Sequence, residues 1–304
     1  MPQRVIVACL LLGLAGSLPG RSLPAAPPDS GQPGTKTFGS FISANSLAID
    51  PLGFIYILDA GVNKIVKLSP DGAKLAEVGG YGWGDQTFDH PYDICAQNGL
   101  DVYVADYGNH RIQRFDRNLI FVSSFGSPQG DERIFGYPRS VAISNSGSLF
   151  FIDGENRDIV KLTTANEIER SFGGFGSGKG KLANPSRIRI DPGDHVYVLD
   201  GNAIIVFDIY GNYLRTIGEG VLRNPSVFTV RDSKLYVLDS STVVALDETG
   251  SVIDSTPLAP ELFPGGSSAL RDIAVTGNAL FLLNDHNLII NRHFFQNHDS
   301  GEVK

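Results

Sequence analysis

The sequence predicts an all-β fold, a six-bladed β-propeller of four-stranded antiparallel blades whose ring is closed by an N-terminal strand completing the last blade. Three observations carry this expectation. An apolar strand ending in an acidic turn recurs six times along the chain. Its spacing is nearly constant, and each recurrence brings four alternating segments separated by turn residues.

The recurring strand reads YILD ending at Asp59, YVAD at Asp106, FFID at Asp153, YVLD at Asp200, YVLD at Asp239 and FLLN at Asn284. The first four copies are each 47 residues apart; the next intervals are 39 and 45. The short interval is explained by losses near turns. GNAIIVF, GEGVLRNP and VFTVRDSKLY are shorter than the preceding GENRDIVKL, GGFGSGKGKLANP and RIRIDPGDHVY by two, five and one residues. In the second repeat the four segments are approximately DICAQ, LDVYVAD, RIQRFD and IFVSSFG, alternating in hydropathy and rich in β-branched and aromatic residues. The 35 glycines and 17 prolines, set against one methionine, suit many short strands and turns.

Taken in order, MPQR, the apolar run 5–16 and the small-residue stretch that follows predict a signal peptide over residues 1–21, with cleavage between about 17 and 26. Residues 22–35 form a Pro-, Gly- and Ser-rich leader. The propeller is expected over residues 36–295 and a short tail over 296–304. KTFGS (36–40) has the form of a blade's outermost strand yet precedes the first repeat, while the sixth repeat holds only three strands, ending near NRHFF. Joining the two ends closes the ring and removes both sheet edges. No later segment is long and apolar enough for a membrane helix. The product is expected to be exported, periplasmic or extracellular, and monomeric. After cleavage only Cys95 remains; its counterparts are Ala48, Ala142 and Ala274, so it reads as a small buried residue.

Residues 106–112, DYGNHRI, carry a further pattern: Asp106, two variable residues, then Asn109, His110, Arg111 and Ile112. DAGVNKI keeps Asp59, Lys64 and Ile65 but has Val62 at the Asn position; DGENRDI keeps Asn156 and Ile159 but has Asp158 where arginine is usual. On these residues the chain resembles the NHL-repeat proteins over about residues 36–295, in the exported bacterial form. The resemblance implies a six-bladed propeller and leaves function open, because the repeat is a folding unit. A residue set repeated along a chain serves the hairpin rather than chemistry. The strand-end Asp accepts turn N–H groups, and Asn or Arg ties the turn to its neighbour.

Function is therefore sought where the blades differ, at the segments leading into each innermost strand. Ser46, Asp93, Ser140, Arg187, Val227 and Asp272 hold one position there; Ala48, Cys95, Ala142, Arg189, Thr229 and Ala274 hold the position two residues on. Arg187 and Arg189 share one strand face by the two-residue period. With Arg139, Arg271, Asp93 and Asp272 they bring both charge signs to one opening. Two arrangements are open. The arginines pair with Asp93 or Asp272 and plug the channel, which the cost of desolvated charge favours. Otherwise they hold an anionic ligand or a partner carboxylate. Tyr81, Trp83, Phe88, Tyr92, Phe135 and Tyr137 lie in or beside the loops entering blades two and three. Phe88 and Phe135 hold apolar packing positions, whereas Tyr81, Trp83, Tyr92 and Tyr137 are placed for exposure beside Arg139.

The expected role is a non-catalytic binding scaffold for a protein, peptide or glycan partner at the channel face, with Trp83, Tyr92, Asp93, Arg139, Arg187, Arg189, Arg271 and Asp272 as binding residues and no cofactor. The alternative is a metal-dependent lyase or hydrolase at the same mouth, like the amidating lyases or gluconolactonase-type lactonases that the fold resembles. Of six histidines only His90 lies at the lip, so a three-histidine zinc site is not visible. Asp93, Asp272, Asn184 and Asn224 could offer oxygen ligands, but the arginines beside them would repel a cation. GGFGSGKGK (173–181) lacks the Ser or Thr and the helix of a phosphate loop, and no G-x-S-x-G elbow occurs. A net charge of −8 weighs against nucleic-acid partners.

Overall fold

The computed structural model describes residues 34–126, 136–165, 167–176, 178–260, 270–292 and 294. The signal peptide, most of the leader, the tail, Phe135, His293 and His298 lie outside the described residues.

Strand β1 (Thr35–Phe38) comes first. Blade one follows as β2 (Ala44–Ile49), β3 (Ile55–Asp59), β4 (Lys64–Leu68) and β5 (Lys74–Gly79). Blade two is β6 (Pro91–Cys95), β7 (Asp101–Asp106), β8 (Arg111–Asp116) and β9 (Phe121–Gly126). Blade three is β10 (Pro138–Ile143), β11 (Leu149–Asp153), β12 (Asp158–Leu162) and β13 (Ile168–Phe172). Blade four is β14 (Pro185–Ile190), β15 (Val196–Asp200), β16 (Ala203–Phe207) and β17 (Tyr213–Ile217). Blade five is β18 (Pro225–Arg231), β19 (Lys234–Asp239), β20 (Thr242–Leu246) and β21 (Val252–Pro257). Blade six holds β22 (Leu270–Thr276), β23 (Ala279–Asn284) and β24 (Leu288–Asn291), completed by β1. The chain is thus an all-β six-bladed propeller of four-stranded antiparallel sheets. Its ring closes by the pairs Thr35↔Asn291, Lys36↔Ile290, Thr37↔Ile289 and Phe38↔Leu288.

The second and third strands of each blade are buried on both faces, and the two-residue period sends alternate side chains to different neighbours. On β3, Ile55 and Ile57 join the apolar cluster shared with blade six, while Tyr56 and Leu58 join the one shared with blade two. On β7, Val102 and Val104 face blade one, and Tyr103 and Ala105 face blade three. Six such clusters fill the six interfaces between blades. This is why strands such as β3 and β11 show no solvent-facing residue. The outermost strands face water: β5 and β13 hold no buried residue. Their terminal glycines have a steric cause: Gly79 and Gly126 adopt φ of +126° and +139°. An added Cβ there would press on the carbonyl oxygens of Asn63 and His110.

The strand-end aspartates differ from the expected Asx role: they bind the N–H groups of the segment entering their own blade, 15–17 residues earlier. Asp153 also takes the Glu155 and Asn156 N–H groups of the turn that follows. Asp106 takes the N–H of Asp89, the Asn109 amide and the Arg111 Nε at 2.8 Å each. Arg111 then donates to the carbonyls of Trp83, Gly84 and Thr87, each at 2.9 Å, so one guanidinium shapes the loop that enters blade two. Asp59 accepts the N–H groups of Ile42 and Ser43, and Asp239 those of Arg223 and Asn224.

Candidate functional site

Each innermost strand carries an irregularity at one position. Register shifts fall between Ala44 and Ser46, Pro91 and Asp93, Pro138 and Ser140, Pro185 and Arg187, Pro225 and Val227, and Leu270 and Asp272. The residue inside each bulge (Asn45, Tyr92, Arg139, Ser186, Ser226 or Arg271) is left on the rim, half-buried or exposed. The next residue is buried in the channel. The candidate residues divide accordingly. Trp83, Tyr92, Arg139 and Arg271 belong to the rim. Asp93, Arg187, Arg189 and Asp272 lie beneath it, with both carboxylates fully buried. The sequence pattern had placed all eight around one opening; the bulge separates them, and its signal was the proline that precedes the rim residue in HPYD, YPRS, NPSR and NPSV.

Within the channel, side chains stitch blade to blade. Asp272 Oδ2 accepts the Leu47 N–H at 3.0 Å, Asp93 Oδ2 that of Val141 at 3.1 Å, and Ser140 Oγ that of Ile188 at 3.1 Å. Each bond joins one blade to the next. Ser46 Oγ lies 2.7 Å from Asp93 and 2.9 Å from Asp272, and Ser140 Oγ donates to Asp93. From blade four, Arg187 crosses the channel. Its Nη1 donates to Asp93 at 2.9 Å, and Nη2 donates to the carbonyls of Asn45 and Arg271 at 3.1 and 3.3 Å. Arg189 donates through Nη1 to Asp93 at 3.2 Å and to the Ile188 carbonyl at 2.8 Å, with Nη2 3.6 Å from Asp272. Burial pushes the Asp93 carboxyl up, but Arg189, Arg187 and the two serine hydroxyls outweigh it and hold it below its ordinary value. The two arginines and two aspartates form a neutral buried cluster that closes the channel below the rim.

The rim of blades two and three is aromatic. Tyr92, Tyr107 and Tyr137 stack in sequence with centroids 5.4 and 4.8 Å apart, and His110 follows at 4.2 Å from Tyr137. Trp83 is 73% and Tyr81 66% exposed, with rings 6.3 Å apart, edge to face. Tyr92 is exposed, and Phe88 is wholly buried among residues of blades one and two. Arg271 is held by Asp285 at 2.7 and 3.1 Å, whereas the buried Nε of Arg139 has no partner among the described residues. His90 is exposed and pairs with its neighbour Asp89. Among the described residues no group of three or more His, Cys, Asp or Glu side chains is placed to hold a metal ion, and no helix is long and apolar enough to cross a membrane. The row through Tyr107 and His110 was not singled out as a contact surface from sequence, because both residues sit inside the repeat pattern and read as turn residues.

Comparison with known proteins places these features. Residues 88–115 match the model of the NHL repeat family. The chain is 37% identical over 81 residues to human NHL repeat-containing protein 3, covering 26% of this chain and 23% of that protein. It is 27% identical over 144 residues to protein brain tumor of Drosophila melanogaster, covering 46% of this chain and 13% of the other. The matches thus span less than a quarter of the length of either relative. Among solved structures, virginiamycin B lyase from Staphylococcus aureus superposes with a TM-score of 0.58 at 14% identity, covering 84% of this chain and 98% of that one. A streptogramin B lyase gives 0.60 at 14%, covering 82% and 80%. At such identity the likeness is one of fold.

Proposed function

We propose that this chain, an NHL-repeat β-propeller, is a non-catalytic binding scaffold that recognises a peptide or glycan surface of its partner on the rim of blades two and three. The observation that carries the reading is the row Tyr92–Tyr107–Tyr137–His110, with Trp83 and Tyr81 exposed on the loop entering the same blade. Aromatic rings supply large contact area at small conformational cost, and a stacked row is organised before the partner arrives. The buried charges take the opposite role. Asp93 and Arg187 spend their hydrogen bonds on one another and on neighbouring strands, so they hold the scaffold rigid beneath the surface. The apolar run 5–16 supports export as the setting.

The test is a screen of peptide and glycan libraries with the native chain, Trp83→Ala and Tyr92→Ala. Ligands should be found whose binding falls at least about tenfold in both variants while the thermal midpoint stays within ~1 °C. Ligands unaffected by either variant would move the surface elsewhere. Stoichiometric zinc or calcium in protein purified without chelator would favour the lyase or hydrolase reading.

A further inference from the structure

Below the buried cluster the channel opens into a cavity of about 460 Å³, reached from the end at which the innermost strands finish, opposite the aromatic rim. Its existence has a local cause. At one level of the ring, five innermost strands place a small side chain (Ala48, Cys95, Ala142, Thr229 and Ala274) while the sixth places Arg189. One long cation therefore stands in a space made by five short neighbours. That volume lies within the ~300–1,000 Å³ of small-molecule sites.

Arg189 is not fully spent. Both of its hydrogen bonds leave from Nη1, and its Nε makes none among the described residues. Its Nη2 stands 3.6 Å from Asp272, too far for a hydrogen bond. Asp272 is already supplied by the Leu47 and Ile273 N–H groups. The side chain is 17% exposed, and it forms part of the cavity wall. Thr229 adds a hydroxyl with no partner among the described residues. A guanidinium edge of one Nε–H and one Nη–H matches two oxygens of a single carboxylate. The cluster above is neutral, two arginines against two aspartates; of the two other carboxylates on the wall, Asp50 accepts the Leu52 and Phe54 N–H groups and Asp232 pairs with Arg231 at 3.3 Å.

We propose that this lower cavity binds a small monocarboxylate with an apolar body, its carboxylate on Arg189 Nε and Nη2 and its body against Ala48, Ala142 and Ala274. The site is independent of the aromatic rim.

Calorimetric titration of the full chain with straight-chain monocarboxylates from acetate to octanoate, and with their amides, tests it. One-to-one binding is expected for at least one acid, with its amide weaker by about tenfold or more. Arg189→Gln should abolish binding but also disturbs the buried cluster. Ala274→Leu is therefore the deciding variant: it narrows the space, keeps every charge, and should weaken binding at least about tenfold. Trp83→Ala should leave the titration unchanged. No binding of any acid up to about 10 mM, equal binding of acid and amide, or binding unaffected by Ala274→Leu would each overturn the assignment.

Discussion

Arg187 and Asp93 stand 94 positions apart in the chain, yet Nη1 of one lies 2.9 Å from Oδ1 of the other across the channel, with the carboxylate wholly buried. Removing either partner leaves the other buried without its counter-charge. Asp93→Ala should therefore cost ~3–5 kcal/mol in chemical denaturation. The double change Asp93→Leu and Arg187→Met should cost less than the single one, because the remaining charges, Arg189 and Asp272, still face each other. A single change milder than the double would show that the cluster is not the keystone of the channel.

Arg111 joins two tasks, the ion pair with Asp106 and three carbonyls of the loop entering blade two. Arg111→Lys keeps the charge and loses the fork, so most of the side chain's own hydrogen bonds to the loop go with it. Both Arg111→Lys and Arg111→Ala should speed amide exchange over residues 82–88, and the alanine change should cost ~2–4 kcal/mol. Unchanged exchange in that segment would sever the link between guanidinium and loop.

Blade three carries the opposite charge at the matching place. Asp158 is pushed up to about 6 from an ordinary 3.8, first by burial and then by Asp153, and its Oδ1 has no hydrogen-bond partner among the described residues. A carboxyl raised in the folded state binds its proton there before the unfolded chain does. Stability from this group is thus greatest at low pH and declines as pH rises from about 4 to about 6, then stays level. Asp158→Asn should raise the thermal midpoint more at pH 7.5 than at pH 4. An equal gain at both would mean that burial of the charge is not the cause.

Closure of the ring rests on the four residue pairs between β1 and β24. A chain beginning at Gly39 should lose about 4 kcal/mol of stability and expose the edge of β24, so it should also self-associate. A truncated protein that is monomeric and as stable as the full chain would assign closure to the packing between blades one and six instead.

Much of this was decided by local sequence. Alternation fixes the strands, and the spacing of Asp59, Asp106, Asp153 and Asp200 fixes the blades. KTFGS before the first repeat announces the clasp, because a sheet edge without a partner is costly and only one spare strand exists. That each strand-end Asp accepts backbone N–H groups was legible from its repetition, but not which ones: those it takes lie 15–17 residues earlier and are brought to it by the pairing of the two inner strands. The exposure of Trp83, Tyr81 and Tyr92 and the burial of Phe88 also followed from position beside a turn or within the alternation. What only the tertiary structure decided is what meets across the ring. Whether Arg187 reaches Asp93, which Arg189 nitrogen is left unbonded, and that Tyr92, Tyr107 and Tyr137 stack into one row depend on six bulges and on the angle between blades. Those contacts join residues of blades far apart in sequence, and side chains that the two-residue period assigns only to a face, never to a partner.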